Sequence, residues 1–172
     1  MFTSTVREGR YTSDIDPDRE IVVFLIGMRV NRLWQVWRWL PVLLAMPRMI
    51  IELARDPSRG LLARPRTLLS GRVVMVVQYW ESFDHLERYA RDPQAHHLPA
   101  WRAFNRRVRD NGSVGIFHET YRLTGADVET MYVNMPAFGL GGATVSAPAR
   151  AGRQTAAARL GIRPDGALPV QP

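Results

Sequence analysis

The chain has 172 residues, 46% apolar and 23% charged, ordinary values for one globular domain with room for a sizeable core. It has no cysteine and no lysine, so disulfides, thiolate-held metals or haem, a Cys nucleophile, a lysine Schiff base and a phosphate-loop lysine are all excluded. The net charge of +7 rests wholly on arginine and does not imply a nucleic-acid partner, because the densest cluster (Arg102, Arg106, Arg107, Arg109) reads as a solvated helix face with no recognition motif around it.

Met1 to Glu20 lacks an apolar run and carries Asp14, Asp16, Asp18 and Glu20, unlike a signal peptide. Residues 1–18 read as a flexible segment. Ile21 to Met28 (IVVFLIGM) is a strand buried on both faces. Residues 33–55 show helical periodicity, with Val36, Trp39, Leu40, Leu43, Leu44, Pro47, Ile50 and Ile51 on one broad face and Arg38, Arg48 and Glu52 opposite. Pro41 and Pro47 predict a break or kink. Tryptophan and arginine in this arrangement also suit an interfacial membrane helix, but core packing is the commoner fate of such a face. The longest apolar stretch, Trp39 to Pro47, falls well short of the roughly 20 residues a spanning helix needs. A cytoplasmic protein with no membrane partner is expected.

Asp56-Pro57-Ser58-Arg59-Gly60 stops that helix. Residues 61–70 form a strand or an extended connection, Gly71 is a turn, and Arg72 to Trp80 is a strand. Ser82 caps a helix that places Phe83, Leu86, Tyr89 and Ala90 on one side and ends at Asp92-Pro93. His85 falls on its polar side, in solvent. A further helix runs from about Pro99 to Asp110, with Trp101, Phe104 and Val108 as its apolar stripe. Val114 to Leu123 is the last long strand, and residues 127–134 add a short one. From Ala143 onward the chain holds eight Ala, four Pro and four Arg with no aromatic residue, which predicts a disordered tail over 143–172. Strand–helix–strand–strand–helix–strand is the ferredoxin-like order: an α+β domain over 19–142, an antiparallel sheet with helices on one face. A second copy is the economical cover for the other face, giving a homodimer.

Polarity intrudes on the last strand. His118 and Glu119 are consecutive and face opposite sides of the sheet, so if both faces are covered one of them is buried. Such a group is either a hydrogen-bonded structural residue or an acid/base or ligand group at a pocket. His96 and His97 precede a helix N-terminus, which favours neutral imidazole, the form that acts as base or metal ligand; a surface turn is the alternative. No local spacing supports an iron site from His97, His118 and Glu119. Gly139-Leu140-Gly141-Gly142 lacks the third glycine and the following helix of a dinucleotide loop.

The stretches VVMVVQYWESFDHLERYARDPQAHHLPAWRAFNR (73–106), VGIFHETY (114–121) and YVNMPAFGLG (132–141), with Asn31, Trp34, Met49, Glu52 and Leu53, resemble the fumagillin-pathway polyketide monooxygenase-like family. That family lies within the dimeric α+β barrel superfamily of antibiotic-biosynthesis monooxygenases. The resemblance implies a homodimer with a substrate pocket between sheet and helices. It implies an oxygenase, without flavin or metal, acting on an apolar, electron-rich small molecule. His97, His118 or Glu119 would be the base; Trp34, Trp37, Trp101, Phe104, Tyr121 and Tyr132 would wall the pocket; and Asn31 and Asn134 would orient an oxyanion. Related barrels bind haem, which leaves a haem protein with His97 or His118 as axial ligand as one alternative. A non-catalytic dimeric ligand-binding protein is another.

Overall fold

The computed structural model describes residues 5–93, 112–149, 152–162 and 164. The chain divides into two compact units, residues 22–122 and the terminal stretches 1–21 with 123–172. In chain order its elements are β1 (Arg7–Asp14), β2 (Glu20–Val30), α1 (Val36–Arg55), β3 (Arg66–Ser70), β4 (Val73–Trp80), α2 (Phe83–Arg91), β5 (Val114–Thr124), β6 (Tyr132–Met135), β7 (Val145–Pro148) and α3 (Ala156–Arg159). The expected helix from Pro99 to Asp110, and with it His96, His97, Trp101 and Phe104, lies outside the described residues.

In the central unit the sheet order is β3-β4-β2-β5, that of a ferredoxin-like fold. β2 and β4 pair antiparallel from Val22 opposite Trp80 to Arg29 opposite Val73, and β3 pairs with β4 through the tight turn at Gly71. Gly71 has φ +55°, a left-handed conformation that glycine adopts without steric cost. β5 lies beside β2, and Asn31 N at the end of β2 donates to Ser113 O just before β5 (3.0 Å). Strand alternation sends one side of each strand toward the helices. There Val22, Leu53, Trp80, Leu86 and Tyr89 form one buried cluster, with Phe24 and Leu61 against it. Met28, Val30 and Val114 form another, packed against Trp39, Val42, Leu43 and Met46 of α1 and against Val74 and Ile116. Trp80 is wholly buried, and its indole N–H is satisfied by Gln78 Oε1 at 2.9 Å. The other side of the sheet carries Val23, Leu25, Met75, Val77, Tyr79 and Phe117, all half-buried.

Three expectations need correction here. α1 runs unbroken through Pro41 and Pro47. Each proline removes one N–H from the ladder, and packing of Trp39, Val42, Leu43, Met46 and Leu53 on the sheet holds the remaining turns. The buried stripe is also rotated from the expected one: Val42 and Met46 pack, whereas Val36, Leu40, Leu44 and Ile51 are exposed. His85 is not simply solvated. It is half-buried, with Nδ1 2.8 Å from Ser82 Oγ, the same hydroxyl that caps α2 by accepting from His85 N.

The terminal unit is a three-stranded sheet, β6-β1-β7. β1 pairs antiparallel with β6, Tyr11 opposite Tyr132, and with β7, Asp14 opposite Val145. The register shifts between Arg7 and Arg10, where Gly9 has φ +88° and donates its N–H to Asn134 Oδ1 at 2.9 Å. Residues 7–14 and 145–148, read from sequence as parts of a flexible segment and a disordered tail, are therefore paired strands. α3 adds to this, since Arg159 is ion-paired with Glu129. The sequence hid these elements because β1 is mostly polar and its partners lie more than 100 positions away in the chain.

Candidate functional site

On β5 the burial runs from closed to open. Val114 is buried, residues 115–117 are half-buried, and residues 118–122 are exposed. His118 follows Val114 and Ile116 in alternation and so shares the helix-covered side, its ring centroid 6.0 Å from that of Phe24. Glu119 lies on the opposite side, where its Oε2 accepts a 2.5 Å hydrogen bond from the Tyr121 hydroxyl. That bond, and then the carboxylate charge itself, raise the Tyr121 phenol above its usual range. The expectation that one of His118 and Glu119 is buried does not hold in the single chain, because both sit on the half of β5 that runs out past the core. They cannot meet at one reacting atom within one chain.

Asn31 caps the end of β2. Its Nδ2 donates to Gly112 O (3.1 Å), its Oδ1 accepts from the Arg29 guanidinium, and its carbonyl accepts from Arg72 Nη1 (3.4 Å). Its amide thus ties the β2 end to the start of β5. Trp34 and Trp37 point to solvent, 70% and 68% exposed, and wall no pocket in the single chain; Trp39 is the tryptophan of this segment that packs inward. In the terminal unit Tyr132 stacks on Tyr11 with centroids 5.3 Å apart, and its hydroxyl accepts from Gly141 N at 2.8 Å. Asn134 has φ +51° and holds Gly9. Both are engaged in building that sheet. Of the sequence-named residues, the structure thus pairs Glu119 with Tyr121 and leaves His118, Asn31 and the two exposed tryptophans at separate places.

A polar cleft of about 300 Å³, unmarked by the sequence reading, opens between the end of α1 and α2, lined by Asp56, Ser58, Arg59, His85, Arg88, Tyr89 and Asp92. Arg59 is its hub, bonded to Asp56 and Asp92 at 3.1 Å each, 3.7 Å from Glu52, and lying over the Tyr89 ring at 5.5 Å. Burial acts to lower the Arg59 pKa, but the Asp56 hydrogen bond with Glu52 and Asp92 outweighs it and raises the value. The Ser58 side chain, with help from Arg59, holds Asp56 below the usual carboxylate range against a partial desolvation. Burial, reinforced by Glu52, pushes the Tyr89 phenol well up. The signal available in sequence was Glu52, Asp56 and Arg59 at helical spacing; Asp92, 33 positions on, was not inferable. With positive and negative groups paired off inside it, this cleft clamps α1 to α2. Among the described residues no three His, Cys, Asp or Glu side chains are grouped to hold a metal ion, and no helix is long and apolar enough to cross a membrane.

Residues 21–140 match the model of a family described as Monooxygenase af470-like. The Monooxygenase af470 of Aspergillus fumigatus is 27% identical over 152 residues, an alignment covering 77% of this chain and 53% of that protein. The chain therefore spans about half the length of this relative. Among solved structures, an aldoxime dehydratase superposes with a TM-score of 0.65 at 19% identity, over 86% of this chain and 44% of that one. A second aldoxime dehydratase, co-crystallised with butyraldoxime, gives 0.62 at 18% identity, over 84% and 46%. At such identities the likeness establishes the fold alone.

Proposed function

This chain belongs to the Monooxygenase af470-like family, and from that premise we propose that it is a small oxygenase acting on an apolar, electron-rich metabolite, with the substrate supplying the electrons. The observation that carries the reading is the place of His118. It is an imidazole on the helix-covered side of β5, in line with Val114 and Ile116 and beside Phe24. Val114 and Ile116 are covered by α1, so an aromatic substrate would sit at the open end of that side, against the Phe24 ring and the His118 imidazole. Neutral imidazole can take the proton of a phenol, and the resulting phenolate is the electron-rich species that reduces oxygen. A phenol with a free para position would give a quinone and one water, one oxygen atom entering the product and the other leaving reduced. Glu119 and Tyr121, on the opposite side, belong in this reading to a second copy of the chain placed over the half-buried apolar residues Leu25, Met75, Val77 and Phe117. That makes the working form a homodimer.

A haem would need a buried slot around its axial ligand. His118 is exposed with the Phe24 ring beside it, so the described residues there do not fit that group, and His97 lies outside them. The test is oxygen uptake by the purified full-length protein with a panel of phenols and hydroquinones, His118→Ala and Glu119→Gln run alongside, and a haemin titration in parallel. Substrate-dependent uptake lost in His118→Ala, with a flat haemin titration, is expected. Saturable binding of the same compounds without uptake would replace the oxygenase with a ligand-binding protein. A stoichiometric Soret shift abolished by His118→Ala would overturn the haem-free reading.

A further inference from the structure

Helix α1 is apolar on two sides, and folding consumes one of them. The inward stripe, Trp39, Val42, Leu43, Met46 and Leu53, packs on the sheet. The outward stripe, Trp37, Leu40, Leu44 and Ile51, follows the three-, four- and seven-residue spacings of a single helix face and stands in solvent. Trp37 is 68% exposed, Leu44 57% and Ile51 50%, and Trp34 just before the helix is 70% exposed. Large apolar side chains left in water at this density on one line mark a contact surface rather than scattered surface residues.

The charge around the stripe says what kind of surface it meets. From Asn31 to Arg55 the sequence carries Arg32, Arg38, Arg48 and Arg55 against one acid, Glu52. Glu52 is drawn toward Arg59, 3.7 Å away. A second copy laid helix against helix would bring two sets of arginines together with no acid between them, which is unfavourable. An anionic surface complements the same arrangement. Tryptophan rings favour the boundary between headgroups and acyl chains, leucine and isoleucine go just below it, and arginine stems lie along it with their guanidinium groups toward phosphate.

We propose that the outward stripe of α1 docks on an anionic phospholipid surface and holds the protein peripherally on a bilayer. The contact is interfacial, not spanning, and stands independently of the oxygenase reading. The sequence pattern suited an interfacial helix as well as a core helix; the structure shows that one helix does the packing with one face and leaves the other available.

Co-sedimentation of the full-length protein with vesicles of phosphatidylcholine alone, or containing about 30% phosphatidylserine, tests it. Pelleting with the anionic vesicles, little with the neutral ones, and release by added salt are expected. Leu44→Asp should weaken partitioning by about tenfold or more, since it removes a buried apolar contact and adds a repelled charge. Trp34→Ala/Trp37→Ala should weaken it too, whereas Val145→Asp, at a still more exposed apolar residue of β7, should not. Circular dichroism confirms that each variant is folded. Failure to pellet with anionic vesicles, or equal pelleting with neutral ones, would overturn the proposal. So would a fall in the light-scattering mass of Leu44→Asp without vesicles, since the stripe would then be a protein–protein interface.

Discussion

Gly60 lies so close beneath the imidazole of His85 that a β-carbon on it would come within 2.5 Å of His85 Cδ2, and Gly60 itself has φ +82°. Two independent costs therefore meet at one position. Gly60→Ala should lose about 2 kcal/mol or more in urea unfolding, part from the left-handed backbone and part from the collision. His85→Ala in the same chain should return only the ring's share of the collision, since the β-carbon of residue 85 would still stand 2.7 Å from the new one, and should leave the backbone part. Strict additivity of the two single changes would show that the ring is not what the glycine accommodates.

Arg59 joins Glu52, Asp56 and Asp92, and its side chain is 24% exposed. Arg59→Ala leaves three carboxylates facing one another over a partly closed cleft, so a loss of about 2 kcal/mol is expected by thermal or urea unfolding. Arg59→Lys should recover only a small part, because one ammonium cannot address carboxylates on three sides as the guanidinium fork does. Full rescue by lysine would reduce the cluster to simple charge balance.

The same cluster sets the response to pH. Asp56 has a lowered pKa in the fold, so its stabilising share is complete above the ordinary value of 3.8 and is lost as pH falls from there through the folded value. Tyr89 has a raised pKa, so above the ordinary value of 10.0 the unfolded chain gives up a proton that the folded one keeps, and stability falls as pH rises. Denaturant midpoints measured across pH should drop at both ends. Asp56→Asn should flatten the acid limb and Tyr89→Phe the alkaline limb. A Tyr89→Phe profile with the parent's alkaline slope would point to another group.

Tyr121 is held above its usual pKa chiefly by its hydrogen bond to Glu119. In Glu119→Gln the phenol should ionise at lower pH, seen as an earlier phenolate absorbance step that is absent from Tyr121→Phe. Both residues are exposed, so unfolding midpoints should move by no more than about 0.5 kcal/mol. An unmoved absorbance step would mean that the hydrogen bond does not persist in solution.

Removal of residues 143–172 tests the terminal unit. A disordered tail could be cut without effect, whereas here the cut takes away β7, the partner of β1 from Tyr11 to Asp14, and Arg159, whose side chain is 9% exposed against Glu129. The truncated chain should melt at lower temperature and expose β1 as an open edge prone to aggregation. Arg159→Ala in the full chain should reproduce part of the loss, about 2 kcal/mol. An unchanged melting curve after truncation would return the segment to the status of a tail.

The order of elements in the central unit was legible because each carries its own local signal. IVVFLIGM and RVVMVVQYW are dense in β-branched residues, Ser82 sits where a cap belongs, and Gly71 marks the turn. The β5 strand was legible too, with His118 and Glu119 on opposite sides by alternation alone. Whether those side chains were covered was not, since cover comes from segments distant in the chain.

Composition and local pattern by themselves determined the class of fold, the ferredoxin-like strand order and the absence of thiol and lysine chemistry. Only the tertiary structure decided which face of α1 packs and which stays in water, because its apolar residues surround the helix and periodicity cannot choose between two apolar faces. It alone placed Arg59 between Asp56 and Asp92, and it alone turned the two polar ends of the chain into one sheet. Those contacts join residues tens to more than 100 positions apart, and nothing in a local window of sequence records what a side chain will meet at that distance.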